Sequence, residues 1–376
     1  MSSRLIPILD SIDAVRAPPH PTGPSPLWLA LLLALLLLTG CAEPKYLMRL
    51  DTEPRLEKDA QVWPAAPETA RYRYVGQLKG DDNFVLDETS SKSSAARDFF
   101  YWLIGLVGMG EEKVMLVRPQ SGFVDNTGRV LVTDAGKVMV FDQAAGKLQE
   151  WRIAYGDTDF VAPIGIAQGA DGQTLVADAE LGRVFRLDRD GKPLGEFGTG
   201  ELLRPTGLAR DAQRGRVYVS DTAAHEIKVF DDSGKLLQTI GQRGNVAENE
   251  LNFPTHIAFA ADKLYVSDTM NARVQTFDAG GAPTGSLGQR GLYFGNMVRP
   301  KGVTLDGESN LYVAESLYDY VLIYNRRGEF LMPLGASQGV GKLYQPAGLW
   351  FDRQGRLYVA DMYNGRVVIF QFLGGS

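Results

Sequence analysis

Residues 299–325 (RPKGVTLDGESNLYVAESLYDYVLIYN) run from an opening proline through a short apolar segment and a turn to Leu311-Tyr312-Val313, which ends on Glu315. A second turn and an apolar segment closing on Tyr324 follow. The same order occurs six times. The opening prolines are Pro119, Pro163, Pro205, Pro254, Pro300 and Pro346. The acids that follow are Asp134, Asp178, Asp221, Asp268, Glu315 and Asp361, at offsets of 15, 15, 16, 14, 15 and 15 residues. An apolar or aromatic residue then closes a third segment at Phe141, Leu187, Phe230, Phe277, Tyr324 and Phe370, nine residues past the acid in five copies and seven in the first. A repeat of roughly 45 residues is one supersecondary unit that cannot bury its own apolar face and must stack on its siblings.

Within each unit the grammar is β. Leu311-Tyr312-Val313 and Leu357-Tyr358-Val359 are runs of strong strand formers. Asp125-Asn126-Thr127-Gly128 and Asp352-Arg353-Gln354-Gly355 are turn chemistry between the first and second strands. Asp190-Gly191-Lys192, Asp232-Ser233-Gly234-Lys235 and Arg327-Gly328-Glu329 do the same between the third and fourth. The 42 glycines suit a fold made of many tight turns. Four strands per unit, radially arranged, predict an all-β, six-bladed β-propeller of four-stranded antiparallel blades. The last copy stops after its third strand, whereas residues 74–80 (YVGQLKG), upstream of the first copy, resemble the fourth-strand ending TIGQRG of residues 239–244. Residues near 72–79 are therefore expected to supply the missing outer strand, closing the ring without a long open edge.

The Pro–x–Gly–apolar opening, the Tyr-Val-Ala/Ser-Asp strand and the turns Met270-Asn271-Ala272-Arg273-Val274 and Tyr363-Asn364-Gly365-Arg366-Val367 resemble the NHL-repeat family of β-propellers. The resemblance covers about residues 71–373. It is specific for fold and implies no single activity, because such propellers include ligand-binding modules, RNA binders and a few lyases. The lyase branch places a metal in the propeller channel on several histidines. Here His20 lies ahead of the expected leader cleavage, which leaves only His225 and His256. That is too few to rebuild the lyase site.

Residues 27–38 (LWLALLLALLLL) form an apolar run with the length of a signal-peptide core, too short for a spanning helix. Leu38-Thr39-Gly40-Cys41 resembles the bacterial lipobox, which implies cleavage before Cys41 and acylation of its sulfur. Two or more acyl chains anchor stably where one does not. The alternative is a signal anchor with an incidental cysteine. Ala42, rather than Asp, points to the outer membrane if the source is Gram-negative. The 26 residues ahead of the apolar run include Asp10 and Asp13, which fits a start at Val15, with Arg16 behind it, better than one at Met1. Residues 1–40 thus read as a leader, 41–70 as a Pro- and Glu-rich tether, and 71–373 as the propeller.

One insertion, about residues 81–113, interrupts the pattern before the first full blade. Ser94 is a helix N-cap candidate and Gly108 or Gly110 a terminus, so a short helix is expected. Its run Phe99-Phe100-Tyr101-Trp102 and onward either packs across the propeller or forms a docking patch for a partner or membrane surface.

No nucleophile elbow, zinc-protease motif, Walker loop or dinucleotide fingerprint is present. The lone cysteine excludes an intrachain disulfide. No cofactor or metal is called for, and Asp188-Arg189-Asp190-Gly191 reads as a hairpin turn rather than a calcium loop. A net charge of −6, with export, disfavours nucleic acid.

His256 stands where the other units carry Ser121, Gly165, Gly207, Gly302 and Gly348. It either projects into the mouth of the central channel or fills space there. His225, in the turn between the second and third strands of its unit, is expected at the surface. The six acids read first as turn acceptors, with Arg183, Arg273 and Arg366 five residues on to pair with them. The fifth unit departs most: Glu315 replaces Asp, and Tyr318 and Tyr320 fill the turn beside Tyr293 and Phe294. This is an aromatic neighbourhood suited to a ligand or partner. The functional expectation is a lipid-anchored, monomeric ring in the bacterial envelope that binds an envelope protein or complex. The alternative is a channel-site lyase, hydrolase or small-ligand sensor.

Overall fold

The computed structural model describes residues 45–50, 61–87, 113–335, 339 and 341–374. Its inner strands are Ser121–Val124, Pro163–Gln168, Pro205–Asp211, Pro254–Ala260, Pro300–Leu305 and Pro346–Phe351. Five begin on the repeat's proline, which has no N–H to offer a ladder and is tolerated at a strand's first position. From each of the first five inner strands the chain runs antiparallel outward through a second, third and fourth strand, and in the sixth blade through a second and third; the inner strands pack neighbour on neighbour around the axis. The molecule is the six-bladed propeller that the spacing predicts.

Apolar burial explains the closure. The residues that end the third strands, Phe141, Leu187, Phe230, Phe277, Tyr324 and Phe370, are all essentially inaccessible. Each stabilises the fold by about 2–3 kcal/mol through burial. The core divides into six clusters, each shared by two adjacent blades. Val229 of the third blade, for example, meets Val266 and Phe277 of the fourth. Tyr358 and Ile369 of the sixth meet Val132 and Phe141 of the first. No blade is self-sufficient, so the stack must come round on itself.

It does so through the N-terminus. Tyr72–Leu78 is the outer strand of the last blade and pairs antiparallel with Arg366–Phe372, from Tyr72 opposite Phe372 to Leu78 opposite Val367. Tyr72 also reaches sideways: its hydroxyl lies 2.7 Å from that of Tyr312 in the fifth blade.

Two further strands fall in the stretch read from composition as a tether. Val62–Trp63 adds a fifth strand to the last blade, and Tyr46–Met48 pairs with Phe84–Leu86. Their anchors are isolated apolar residues among Pro and Glu, which leave no periodic signal. Trp63 packs edge-on to Phe370 at 5.2 Å, and Met48 and Leu50 pack on the cluster between the last and first blades.

The expected helix over about residues 94–108 lies outside the described residues. The described flanks of that insertion are a single 3-10 turn, Asp81–Asn83, and the strand Phe84–Leu86. No described helix is long and apolar enough to cross a membrane.

Candidate functional site

The turns between second and third strands and the links from one blade to the next share one face of the ring, here called the upper face. Each repeat acid ends its second strand there and turns its carboxylate onto the backbone just ahead of its own blade's proline. Asp134 accepts from the N–H groups of Val117 and Arg118, Asp178 from Val161 and Ala162, and Asp221 from Leu203 and Arg204. Glu315 accepts from Val298 and Arg299 at 2.8–3.0 Å and from Leu317 at 3.1 Å. Its extra methylene therefore changes the reach and not the task.

Asp268 and Asp361 hold one such N–H each, from Asn252 and Tyr344. They take additional bonds from Asn271 with Arg273 and from Asn364 with Arg366. Burial outweighs these donors and keeps both carboxyls above their usual range. Arg183, the third arginine of the series, pairs instead with Glu196 at 2.7 Å.

His225 is buried, at 4% exposure, contrary to its expected surface position. Its Nδ1 accepts the N–H of Phe253, 3.2 Å away, which is the donor that Asp268 leaves free. Asp319 does the same for Gln345 at 2.6 Å. Both acceptors stand four residues past their blade's acid with positive φ, and both donors, each directly ahead of the next blade's proline, have positive φ as well. His225 is thus a structural acceptor reaching from one blade to the next. Desolvation and then Arg243 lower its pKa, in keeping with a neutral ring.

At His256 the small residues of the sibling blades acquire a reason. A Cβ built at Gly302 would lie 2.3 Å from the Ala347 carbonyl, and one at Gly207 would lie 2.4 Å from that of Thr255. Adjacent inner strands touch through these glycines. His256 alone places a large side chain at this level, at 8% exposure, and neither ring nitrogen reaches a hydrogen-bonding partner. Burial first, then the charge of Lys301, lower its pKa to about 4, while the backbone of Gln120 in the opposite blade acts in the other direction.

The mouth of the channel is a cavity of about 390 Å³ to which five blades contribute, with Arg118, Gln120, Arg204 and Lys301 among its walls. Lys301 is the residue that sequence reasoning missed. The signal was present: the position after each proline reads Gln120, Ile164, Thr206, Thr255, Lys301 and Ala347, a single charge among neutral residues.

The second feature of this face lies on the fifth blade. Leu292, Tyr293, Phe294, Tyr318, Tyr320 and Leu322 line a groove of about 150 Å³. Leu292, Tyr293 and Phe294 are 81%, 84% and 60% exposed. Their loop is nonetheless held: Met297 behind it is fully buried, and the Tyr324 hydroxyl donates to the Gly295 carbonyl at 3.0 Å. Phe294 meets Tyr320 edge-on at 5.4 Å. The structure therefore brings Glu315, Tyr318 and Tyr320 together at the groove, with the carboxylate of Glu315 held by backbone N–H groups. Cys41, Phe99, Phe100 and Trp102 lie outside the described residues. The loop at Asp188 is a hairpin turn, its carboxylate accepting from the N–H groups of Asp190 and Lys192.

The family model of the NHL repeat matches residues 202–230 and 343–370. Protein brain tumor of Drosophila melanogaster is 26% identical over 148 residues, which cover 38% of this chain and 14% of that protein. The human E3 ubiquitin-protein ligase NHLRC1 is 32% identical over 65 residues, which cover 17% of this chain and 16% of the ligase. The chain thus matches under a fifth of either relative's length. Among solved structures, virginiamycin B lyase from Staphylococcus aureus superposes with a TM-score of 0.51 at 15% identity, covering 68% of this chain and 96% of the lyase. At that identity the likeness is one of fold.

Proposed function

We propose that this chain, an NHL-repeat six-bladed β-propeller, is a protein-binding or assembly module, tethered through acylated Cys41 to the bacterial envelope and engaging an envelope protein through its upper face. The observation that carries the reading is the aromatic groove of the fifth blade. Three large apolar side chains stand in water on a loop whose own backbone is pinned from behind. Exposed apolar surface on a held loop costs solubility and has no role in the core, and aromatic residues in such settings are the usual anchors of protein interfaces. A relative named for an activity exercised on proteins supports the same reading.

The channel-site enzyme is the second reading. The fold it shares with a lyase supports it. Against it, among the described residues no three His, Cys, Asp or Glu side chains are grouped to hold a metal ion, and the six repeat acids are taken up by backbone donors.

The test is site-specific photocrosslinking from position 293 in intact membranes. One discrete adduct is expected, absent when Phe294 and Tyr320 are changed to Ser while thermal melting is unchanged. In parallel, Cys41→Ser should move the protein from the membrane to the soluble fraction. A crosslinking pattern indifferent to the groove substitutions would overturn the partner assignment, and membrane retention of Cys41→Ser would overturn the anchor.

A further inference from the structure

We propose that the axial mouth of the upper face binds a small soluble ligand through a carboxylate or phosphate group, with Lys301 as the central cation and Arg118 and Arg299 beside it. This goes beyond the protein-binding reading and uses different residues on the same face.

The argument begins with an imbalance of charge. Lys301 is half-buried, lines the cavity, and has neither a hydrogen bond nor an ion pair among the described residues. Arg299 and Arg118 are close enough for their charges, after burial, to depress its pKa. Arg118 lies over the Tyr363 ring at 5.4 Å, and among the described residues neither it nor Arg299 has a carboxylate partner. The remaining cation of the wall, Arg204, is already paired with Glu180. Asp134, the carboxylate that lines the cavity, faces the backbone N–H groups of Val117 and Arg118, and Asp178, Asp221 and Glu315 are held by backbone in the same way, which leaves the lysine uncompensated. Clustered cations drawn partly out of water without a counter-charge are unfavourable, so this arrangement is completed by an anion from outside the chain.

His256 stands near the same group: the Lys301 charge and the Gln120 backbone both act on its ring, and neither nitrogen makes a well-formed hydrogen bond. The cavity's size, about 390 Å³, falls in the range of small-ligand sites, about 300–1,000 Å³. A recessed site on a chain of net charge −6 takes a single head group and opposes a polyanion.

The experiment uses the full chain in detergent at fixed ionic strength, titrated with inorganic phosphate and, separately, with succinate. One of the two should raise the melting temperature saturably and move the imidazole resonances of His256. Lys301→Met should weaken that response at least tenfold, while its unliganded form melts at or above wild type. Should Lys301→Met not fold, Arg118→Gln at the rim carries the same comparison. No saturable response to either anion, or an equal response in the variant, overturns the proposal. So does a response confined to vesicles containing phosphatidylglycerol. None of these outcomes depends on Tyr293 or Phe294, so the site fails or stands separately from the protein-binding groove.

Discussion

His256 shows how a single side chain couples the ring to pH. Its pKa falls from 6.5 to about 4 because burial, and then Lys301, disfavour the imidazolium. Between those values the unfolded chain binds a proton that the native chain refuses, so stability rises with pH across this window and is lost as pH falls through it. The full drop amounts to about 3 kcal/mol, and below pH 4 the slope ends because both states are protonated. Denaturant unfolding of wild type and His256→Phe should diverge by that amount between pH 7 and pH 4. His225 contributes with the same sign in both proteins and cancels in the comparison. Parallel curves would mean that the ring is protonated at little cost in the fold. At this scale the sequence was only half legible. His256 is conspicuous against five small siblings, whereas the role of His225 depends on a donor that Asp268 leaves free in the next blade, and no spacing along one repeat encodes that.

Strands and turns were far more legible, because a repeat prints its own alignment. The prolines, acids and third-strand aromatics mark the inner strands, the upper-face turns and the interblade core, and each falls where its physical constraint requires. The unforeseen elements are those that occur once. Asn83 is one example, fully buried in the connection after the strand Tyr72–Leu78. Its Oδ1 accepts from the N–H groups of Lys79 and Gly80, and its Nδ2 donates to the carbonyls of Arg49 and Gln77. One amide thereby fixes residues 45–50 to the propeller, where Leu50 covers Gly76 so closely that a Cβ there would sit 2.6 Å from the Leu50 carbonyl. Asn83→Ala leaves four backbone groups without their partner and should cost about 3 kcal/mol in urea unfolding. Asn83→Asp, which keeps the acceptor half, should fall between. Hydrogen exchange at residues 45–50 should rise in both variants; unchanged protection there would show that the strand pairing with Phe84–Leu86 holds the segment without the amide.

For the whole molecule the decisive fact is that six interblade clusters require six interfaces, and the last interfaces are completed by a strand from the other end of the chain. Tyr72 and Leu78 are both buried there, one against the fifth blade and one against the junction with the first. Removing residues 71–80 should therefore cost at least the burial of those two side chains, about 4–6 kcal/mol, and expose Arg366–Phe372 as an unpaired edge. An edge of that length recruits other strands, so the truncated ring should associate in a concentration-dependent manner that the intact one does not show. A synthetic peptide of residues 71–80 supplied in trans should restore both melting temperature and monodispersity, which separates a missing strand from general damage. A truncated protein that melts like the full chain, or one that the peptide leaves unchanged, would mean that the ring is held by its blade faces alone and that the strand merely covers its rim.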